Sequence, residues 1–243
     1  MATTAESRRR LLQEVALRHH IVLSEKQLEQ FSSYLTLIQR WQRTVVRLVG
    51  KDDSPTLIEA HVADAFCIYR SMNRWNGMKL IDIGSGAGFP GVCLKIIEPG
   101  LHVTLLDASA KKTSFLAKAT TDLGLEGVEV VRGRAEQLAH EAGFREQFGL
   151  ATMRAVVNLA RGIEIGLPFV RVWGHLIVAR GTVSRRDAET VARVGPVMGG
   201  GEFVVRAGLL GDFPVRGSII VLGKVNRTER CYPRARGRAA GRW

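Results

Sequence analysis

The sequence predicts a Rossmann-like α/β fold in which a mostly parallel, seven-stranded sheet follows an N-terminal helical cap. Two observations predict it. From residue 79 onward, short apolar runs alternate with stretches of helical periodicity, which is typical of a parallel sheet. The first of these runs enters a glycine-rich turn, in the segment Leu80-Ile-Asp-Ile-Gly-Ser-Gly-Ala-Gly-Phe-Pro-Gly91. A strand, turn and helix in this order bring backbone N–H groups and a helix N-terminus toward a ligand.

The N-terminal part of the chain has helical patterns only. A capping box at Ser24 begins the second of three predicted helices, and Ser54-Pro55 begins the third. We therefore divide the chain into a helical cap (1–74), a ligand-binding domain (75–226) and a basic tail (227–243).

The alternating part predicts five strands with helices between them, followed by two more strands. The first five strands are predicted at 79–84, 102–107, 128–132, 147–153 and 174–180. The helices are predicted near 90–97, 110–123, 135–141, 157–170 and 184–194. The last two strands, 201–207 and 217–225, have no helix between them, which predicts an antiparallel pair that closes the sheet.

Two acids near the glycine turn indicate which ligand it holds. The glycines have the spacing G-x-G-x-G, whereas a dinucleotide fingerprint reads G-x-G-x-x-G. Asp107 ends the second strand and suits ribose hydroxyls. Asp82, inside the first strand, favours a cationic or amine-bearing ligand over a pyrophosphate. Ribose with a cationic amino-acid tail describes S-adenosylmethionine, and a dinucleotide or a turn without a ligand are the alternatives. With the closing strand pair, this indicates a class I S-adenosylmethionine-dependent methyltransferase.

Loops after the later strands contribute further candidates to the same crevice. Residues 132–137 follow the third strand, where the backbone of Ala135 and Glu136 is predicted to bond the adenine edge. Capping of the next helix is the alternative for Glu136. Arg154 follows the fourth strand and is predicted to be catalytic, with surface charge as the alternative. Arg180 ends the fifth strand and faces the same rim.

Motifs that the sequence lacks argue against some classes of methyl acceptor. No Asn-Pro-Pro-Tyr or Asp-Pro-Pro-Tyr run follows the fourth strand, and no Pro-Cys pair offers a nucleophile for a pyrimidine ring. His61 and Asp64 have helical i, i+3 spacing but lie on the cap. A target that needs no deprotonation fits this pattern. Guanine N7 is such a target because its lone pair attacks a sulfonium methyl directly.

The net charge of +12 predicts a polyanionic partner such as RNA, with an anionic membrane surface as the alternative. Six arginines lie between Arg227 and Trp243 against Glu229 alone, and a disordered solvated tail is the alternative from Arg236 onward. Three scattered cysteines support neither a disulfide framework nor a metal site. The sequence shows no secretory signal and no membrane-span run, so we expect a cytoplasmic monomer without a metal.

Four segments and a C-terminal motif resemble a known family. The segments are Ile-Asp-Ile-Gly-Ser-Gly-Ala-Gly-Phe-Pro-Gly, Leu-Leu-Asp-Ala-Ser-Ala-Lys-Lys-Thr-Ser-Phe-Leu, Gly-Arg-Ala-Glu and Met-Arg-Ala-Val, and the motif is Tyr232-Pro233-Arg234. Over most of residues 25–235, the chain is similar to the small-subunit ribosomal RNA methyltransferase G (glucose-inhibited division protein B) family. His61 and Asp64 match its His-x-x-Asp pair. The resemblance implies methylation of guanine N7 in the 530-loop region of 16S ribosomal RNA, with S-adenosylmethionine as cofactor.

The predicted site residues fall into two groups. The motif itself points to Asp82, Gly86 and Gly88 at the cofactor, and the resemblance adds Gly84, Phe89, Asp107, Ala108, Ser109, Ala135, Glu136 and Arg154. The RNA backbone is predicted to contact Arg47, Lys111, Lys112, Arg132, Arg134, Arg180 and Arg234. Two other functions stay open, a small-molecule methyltransferase and a non-catalytic RNA-binding protein that kept the fold.

Overall fold

The computed structural model describes residues 5–49, 55–72, 75, 77–154, 158–207 and 217–235. Within these ranges the helices are α1 (Ala5–Arg18), α2 (Glu25–Thr44), α3 (Pro55–Arg70), α4 (Gly91–Ile97), α5 (Ala110–Asp122), α6 (Ala135–Leu138), α7 (Leu159–Gly166) and α8 (Arg185–Val197). The strands are β1 (Lys79–Ile83), β2 (His102–Asp107), β3 (Val128–Arg132), β4 (Phe148–Arg154), β5 (Val170–Arg180), β6 (Gly200–Ala207) and β7 (Ser218–Lys224).

The seven strands form one sheet in the order β3-β2-β1-β4-β5-β7-β6. Strands β1 to β5 are parallel to one another, and β7 is antiparallel to both β5 and β6. This arrangement confirms the predicted mostly parallel seven-stranded sheet. The strand order reverses between β1 and β4, and ligands of such sheets bind beyond the carboxyl ends of the strands at that point.

The largest difference from the predicted boundaries lies between β4 and β5. The helix predicted at 157–170 ends at Gly166, a 3₁₀ turn follows over Leu167–Phe169, and β5 begins at Val170 rather than at 174. Pro168 has no N–H group to continue a helix, which explains the early end. The uninterrupted apolar run around it gives no periodicity from which to separate helix from strand.

The cap shares its core with the sheet domain. One continuous cluster of buried side chains combines residues of the cap helices, such as Leu12, Phe31 and Phe66, with Leu94 and Phe115 beside the sheet. Each cap helix has an apolar face that must be buried, and the helices on this side of the sheet provide the partner surface. The predicted domain boundary at residue 74 therefore does not separate two hydrophobic cores.

The C-terminal segment also belongs partly to the folded body. The side chain of Arg145 donates to the carbonyl of Tyr232 and to that of Thr228, both at 2.8 Å. Thr228 is buried, and its hydroxyl donates to the Met198 carbonyl at 2.6 Å. Polar contacts therefore hold residues 228–234 against the folded body, whereas the alternative of a disordered tail concerns the residues from Arg236 onward. Residues 236–243 lie outside the described part of the chain.

Candidate active site

The three glycines of the turn after β1 differ in their surroundings. All three have left-handed backbones, with φ of 75° at Gly84, 59° at Gly86 and 94° at Gly88. A Cβ at Gly88 would lie 2.5 Å from Cγ2 of Val92, so that glycine is required by packing. At Gly84 a Cβ would meet nothing within 4 Å, and at Gly86 only a backbone oxygen at 3.8 Å. The first two glycines therefore face open space at the carboxyl edge of the sheet.

Asp82 is a buried residue that organises this turn. Its Oδ2 accepts from the Gly91 N–H at 3.1 Å and its Oδ1 from the Thr152 hydroxyl at 2.9 Å. Burial raises the pKa of Asp82 to about 6, against the opposing effect of these hydrogen bonds. The side chain is only 1% exposed. In this geometry the carboxyl group joins β1 to α4 and β4, and the contact between Asp82 and a cationic ligand stays a prediction.

Asp107 has the geometry of a ribose-binding acid. Its carboxylate accepts from the Gly86 N–H at 3.0 Å and from the Ser109 N–H at 2.8 Å. Each oxygen of an ionised carboxylate takes more than one donor, so both keep capacity for a hydroxyl group. The neighbouring Ala108 is exposed. The open space at the first two glycines and this fixed acid together fit the ribose end of S-adenosylmethionine.

The guanidinium of Arg154, at the end of β4, joins the cap to the crevice. Its Nη2 donates to Nδ1 of His61, and its Nη1 lies 3.3 Å from Oδ2 of Asp64. Its Cζ lies 6.0 Å from the ring centroid of Phe89, and the His61 ring lies 5.2 Å from the same ring. The sequence placed His61 and Asp64 on the cap and away from the site. Their i, i+3 spacing on α3 was the signal, because it puts both on one helix face.

Burial decides the charge states in this cluster. Desolvation, aided by the charge of Arg154, lowers the pKa of His61 to about 4. The neutral ring can therefore accept a hydrogen bond at Nδ1. Desolvation raises the pKa of Asp64, and Arg154 opposes that rise.

Two guanidinium nitrogens at the crevice edge are buried without a hydrogen-bond acceptor among the described residues. They are Nη1 of Arg154 and Nη1 of Arg180. Each has a carboxylate at 3.3 Å, Asp64 in one case and Asp187 in the other, but not in hydrogen-bonding geometry. Arg154 and Arg180 end neighbouring strands, but Arg154 pairs with Ala179, so the two arginine side chains leave opposite faces of the sheet. Buried donors in this condition are suited to a ligand oxygen.

The loop after β3 carries the predicted adenine contacts. Ala135 and Glu136 are half-buried at the start of α6, and Oε1 of Glu136 lies 3.6 Å from Nη2 of Arg161. Among the cations predicted to bind RNA, four are exposed and two are half-buried. The exposed ones are Arg47, Lys111, Arg132 and Arg134, and the half-buried ones are Lys112 and Arg180.

Arg234, which is predicted to contact RNA, also contacts a buried acid. Its Nη2 and Nε donate to the two carboxylate oxygens of Glu164, at 2.9 and 3.1 Å, and Glu164 is fully buried. This fork holds the guanidinium against a buried acid, although the Arg234 side chain is still 30% exposed. The RNA contact of Arg234 stays a prediction. Within the described ranges, no cluster of His, Cys, Asp and Glu side chains is suited to a metal ion.

The fold and the crevice define a class I S-adenosylmethionine-dependent methyltransferase. A putative S-adenosylmethionine-dependent methyltransferase from Methanococcus maripaludis has the same fold, with a TM-score of 0.56 and 16% identity over 79% of this chain and 93% of that one. The family model described as rRNA small subunit methyltransferase G matches residues 27–201. The chain belongs to that family, as the sequence motifs indicated, and S-adenosylmethionine is its cofactor.

Curated relatives match nearly the whole chain. The ribosomal RNA small subunit methyltransferase G of Moorella thermoacetica is 35% identical over 97% of this chain and 98% of its own length. The protein of the same name from Clostridium botulinum strain Loch Maree is 34% identical over 88% of this chain and 89% of its own. The similarity therefore extends over the cap, the sheet and most of the C-terminal segment.

Proposed function

We propose that this protein transfers a methyl group from S-adenosylmethionine to N7 of a guanine in the 530-loop region of 16S ribosomal RNA. The observation that carries the chemistry is the state of the titratable groups around Arg154. His61 accepts from Arg154, Asp64 is ion-paired with it, and Asp82 is buried behind the turn. None of these three described groups is placed as a general base, and attack by N7 requires none.

The reaction balances without a proton transfer. The cofactor supplies a methyl carbon bonded to a positively charged sulfur. The N7 lone pair forms the new C–N bond while the electron pair of the C–S bond returns to sulfur. The guanine ring gains the positive charge that the sulfur loses. The protein therefore contributes alignment and electrostatics, which are the main contributions when no bond to hydrogen is broken.

Arg154 and Asp107 have separate parts in this alignment. Asp107 holds the ribose, and the Gly84–Gly88 turn brings the backbone close to the cofactor. Arg154 is fixed between His61 and Asp64 at the end of β4. Its Nη1 has no hydrogen-bond acceptor among the described residues, and we assign a guanine or phosphate oxygen to it.

The exposed cations supply the contact with the RNA backbone. Arg132 and Arg134 follow β3, and Lys111 lies in the first turn of α5, directly after the Asp107 loop. Cations on loops around one crevice attract phosphates and retain a looped-out base near the methyl group. Neutralised phosphates release counterions, so binding should weaken steeply with salt. We further propose that a cytoplasmic monomer acts on the small ribosomal subunit or its RNA. No helix within the described ranges combines the length and the apolar character needed to cross a bilayer.

The decisive experiment is mass spectrometry of 16S ribosomal RNA from a strain that lacks the gene. We expect one N7-methylguanine to be absent from the 530-loop fragment and restored by the unchanged gene, but not by a gene carrying Arg154→Ala. Unchanged methylation in the deletion strain would contradict the proposal. Turnover of small acceptors without RNA would favour a small-molecule methyltransferase, and absence of S-adenosylmethionine binding would favour a non-catalytic RNA-binding protein.

A further inference from the structure

A buried acid on α7 connects the C-terminal segment to the rest of the protein. Glu164 is fully buried, and its Oε1 accepts from Nη1 of Arg161 at 2.8 Å and from the backbone N–H of Arg234 at 2.7 Å. The Arg234 side chain adds its fork on both oxygens. One carboxylate thus holds two arginines from separate parts of the chain.

Arg161 extends this cluster to the cofactor side. Its Nη2 donates to the carbonyl of Arg234 at 2.9 Å and lies 3.6 Å from Oε1 of Glu136. A single guanidinium therefore contacts α7, the C-terminal segment and the start of α6. The sequence separates these parts by up to 98 positions, from Glu136 to Arg234.

The α6 segment depends on such contacts for its position. None of its four residues is fully buried, so apolar packing fixes it less firmly than it fixes the other helices. The C-terminal segment supplies two more polar contacts close by. His140 Nε2 lies 2.9 Å from the carbonyl of Pro233, and Arg145 donates to the carbonyls of Ala139, at 2.9 Å, and Tyr232.

A buried cluster of charges adds little to the net free energy of unfolding. Desolvation of the ions offsets much of their attraction, and well-packed apolar residues often serve stability as well or better. The cluster does fix the relative position of the groups it joins, because planar guanidinium forks are directional.

We propose that Arg161, Glu164 and Arg234 form a positioning network that holds the loop of Ala135 and Glu136 against the adenine of the cofactor. Affinity for the cofactor then depends on the C-terminal segment, although that segment does not touch the cofactor. This inference rests on the proposed function and on the contact of Ala135 and Glu136 with the adenine that the sequence predicts. It gives Arg234 a role in cofactor binding beside the RNA contact that the sequence predicted.

The test is calorimetric titration of the full-length protein with S-adenosylhomocysteine in the absence of RNA. We expect Arg161→Met to raise the Kd about tenfold, and Arg234→Lys, which keeps the charge but loses the fork, to raise it by a smaller factor. Arg227→Ala is the matched control. Arg227 lies in the same segment, is 87% exposed and has its Nε 3.8 Å from Oε2 of Glu146, so the Kd of Arg227→Ala should equal that of the unchanged protein.

A double-mutant cycle separates positioning from general support. Arg161→Met and Glu136→Gln, alone and combined, should be non-additive in the Kd, because both remove the same contact. Selectivity provides a second readout. The preference for S-adenosylhomocysteine over S-inosylhomocysteine should fall in Arg161→Met, because a displaced loop reads the adenine edge less well. Should Arg161→Met fail to fold, Glu136→Gln on the half-buried loop still tests the network through the same Kd and selectivity.

The outcomes distinguish this inference from the proposed RNA substrate, since no RNA is present. An unchanged Kd and unchanged selectivity in variants whose melting temperature has fallen would overturn the network as a positioning device. Strictly additive effects of Arg161→Met and Glu136→Gln would do the same. Methylation assays with saturating RNA and varied S-adenosylmethionine should show a raised KM for the cofactor with kcat within about threefold of the unchanged protein.

Discussion

Nη1 of Arg154, at the end of β4, lies 3.3 Å from Oδ2 of Asp64 on α3. This ion pair ties the cap to the catalytic edge of the sheet. A second contact supports it, since the buried Tyr34 hydroxyl on α2 donates to the carbonyl of Ala87 in the glycine turn. The cap helices are therefore part of the active site, and residues 75–226 alone do not contain the whole of it.

Arg154 should be required for turnover. Arg154→Ala removes the buried donor at the crevice and leaves Asp64 without its cation, so we expect single-turnover methylation to slow at least about 100-fold, or about 3 kcal/mol. Arg154→Lys should recover little, because an ammonium group does not reach His61 and Asp64 in the same geometry. A rate equal to that of the unchanged protein would place Arg154 outside the reaction.

Asp107 should control cofactor affinity. Asp107→Ala removes an ionised acceptor from the ribose, and hydrogen bonds to charged groups contribute about 1.5–3 kcal/mol each, so the Kd for S-adenosylhomocysteine should rise about 100-fold. Asp122→Ala is the control, because Asp122 is an acid at the far end of α5 paired only with Lys118. Calorimetry on both variants provides the comparison, and equal affinities would contradict the ribose assignment.

Alanine at Gly84 should mainly weaken cofactor binding, whereas alanine at Gly91 should mainly lower stability. At Gly84 the new Cβ enters open space, so Gly84→Ala should cost about 1 kcal/mol of stability through its left-handed backbone. That Cβ also occupies the cofactor's side of the turn, so the Kd should rise at least about tenfold. At Gly91 the Cβ would lie 2.5 Å from Cδ2 of Leu105 and 2.9 Å from Asp82, so Gly91→Ala should lower the free energy of unfolding by about 1–3 kcal/mol. Denaturant unfolding and calorimetry of both variants check this contrast.

His61 should make stability depend on pH. Its pKa is about 4 in the folded protein and near 6.5 when unfolded, so the unfolded chain binds the proton first as pH falls. The contribution of His61 to the free energy of unfolding is complete above about pH 6.5. It falls by no more than about 3 kcal/mol as the pH decreases to about 4. Asp64 and Asp82 have raised pKa values and act in the opposite direction, because their folded forms bind protons more tightly.

The comparison with His61→Gln isolates this contribution. Glutamine keeps an acceptor for Arg154 but does not titrate, and Asp64 and Asp82 are present in both proteins. The stability of the unchanged protein relative to His61→Gln should therefore decline between pH 6.5 and pH 4, as measured by denaturant unfolding. A difference that stays constant with pH would contradict the burial of a neutral His61.

Local features of the sequence were sufficient to predict most of the fold and part of the candidate site. Alternating periodicities predicted the strands and most helices, because burial on one face repeats every two or 3.6 residues. The spacing of Gly84, Gly86 and Asp107 predicts a cofactor edge, since the two glycines follow β1 and Asp107 ends β2. The position of Asp82 in the strand was evident, but not that its oxygens accept from Gly91 and Thr152.

The sequence by itself determined the sheet, the glycine turn and the acid that follows β2. Only the tertiary structure decided which charges meet. His61 and Arg154 are 93 positions apart, and Glu164 and Arg234 are 70 apart. Periodicity and motifs report how each residue relates to its own helix or strand, whereas an ion pair depends on where two distant elements come together and on which side chain is desolvated there. For that reason the sequence predicted Arg154 at the crevice but not its partners, and it predicted an RNA contact for Arg234 but not the fork with Glu164.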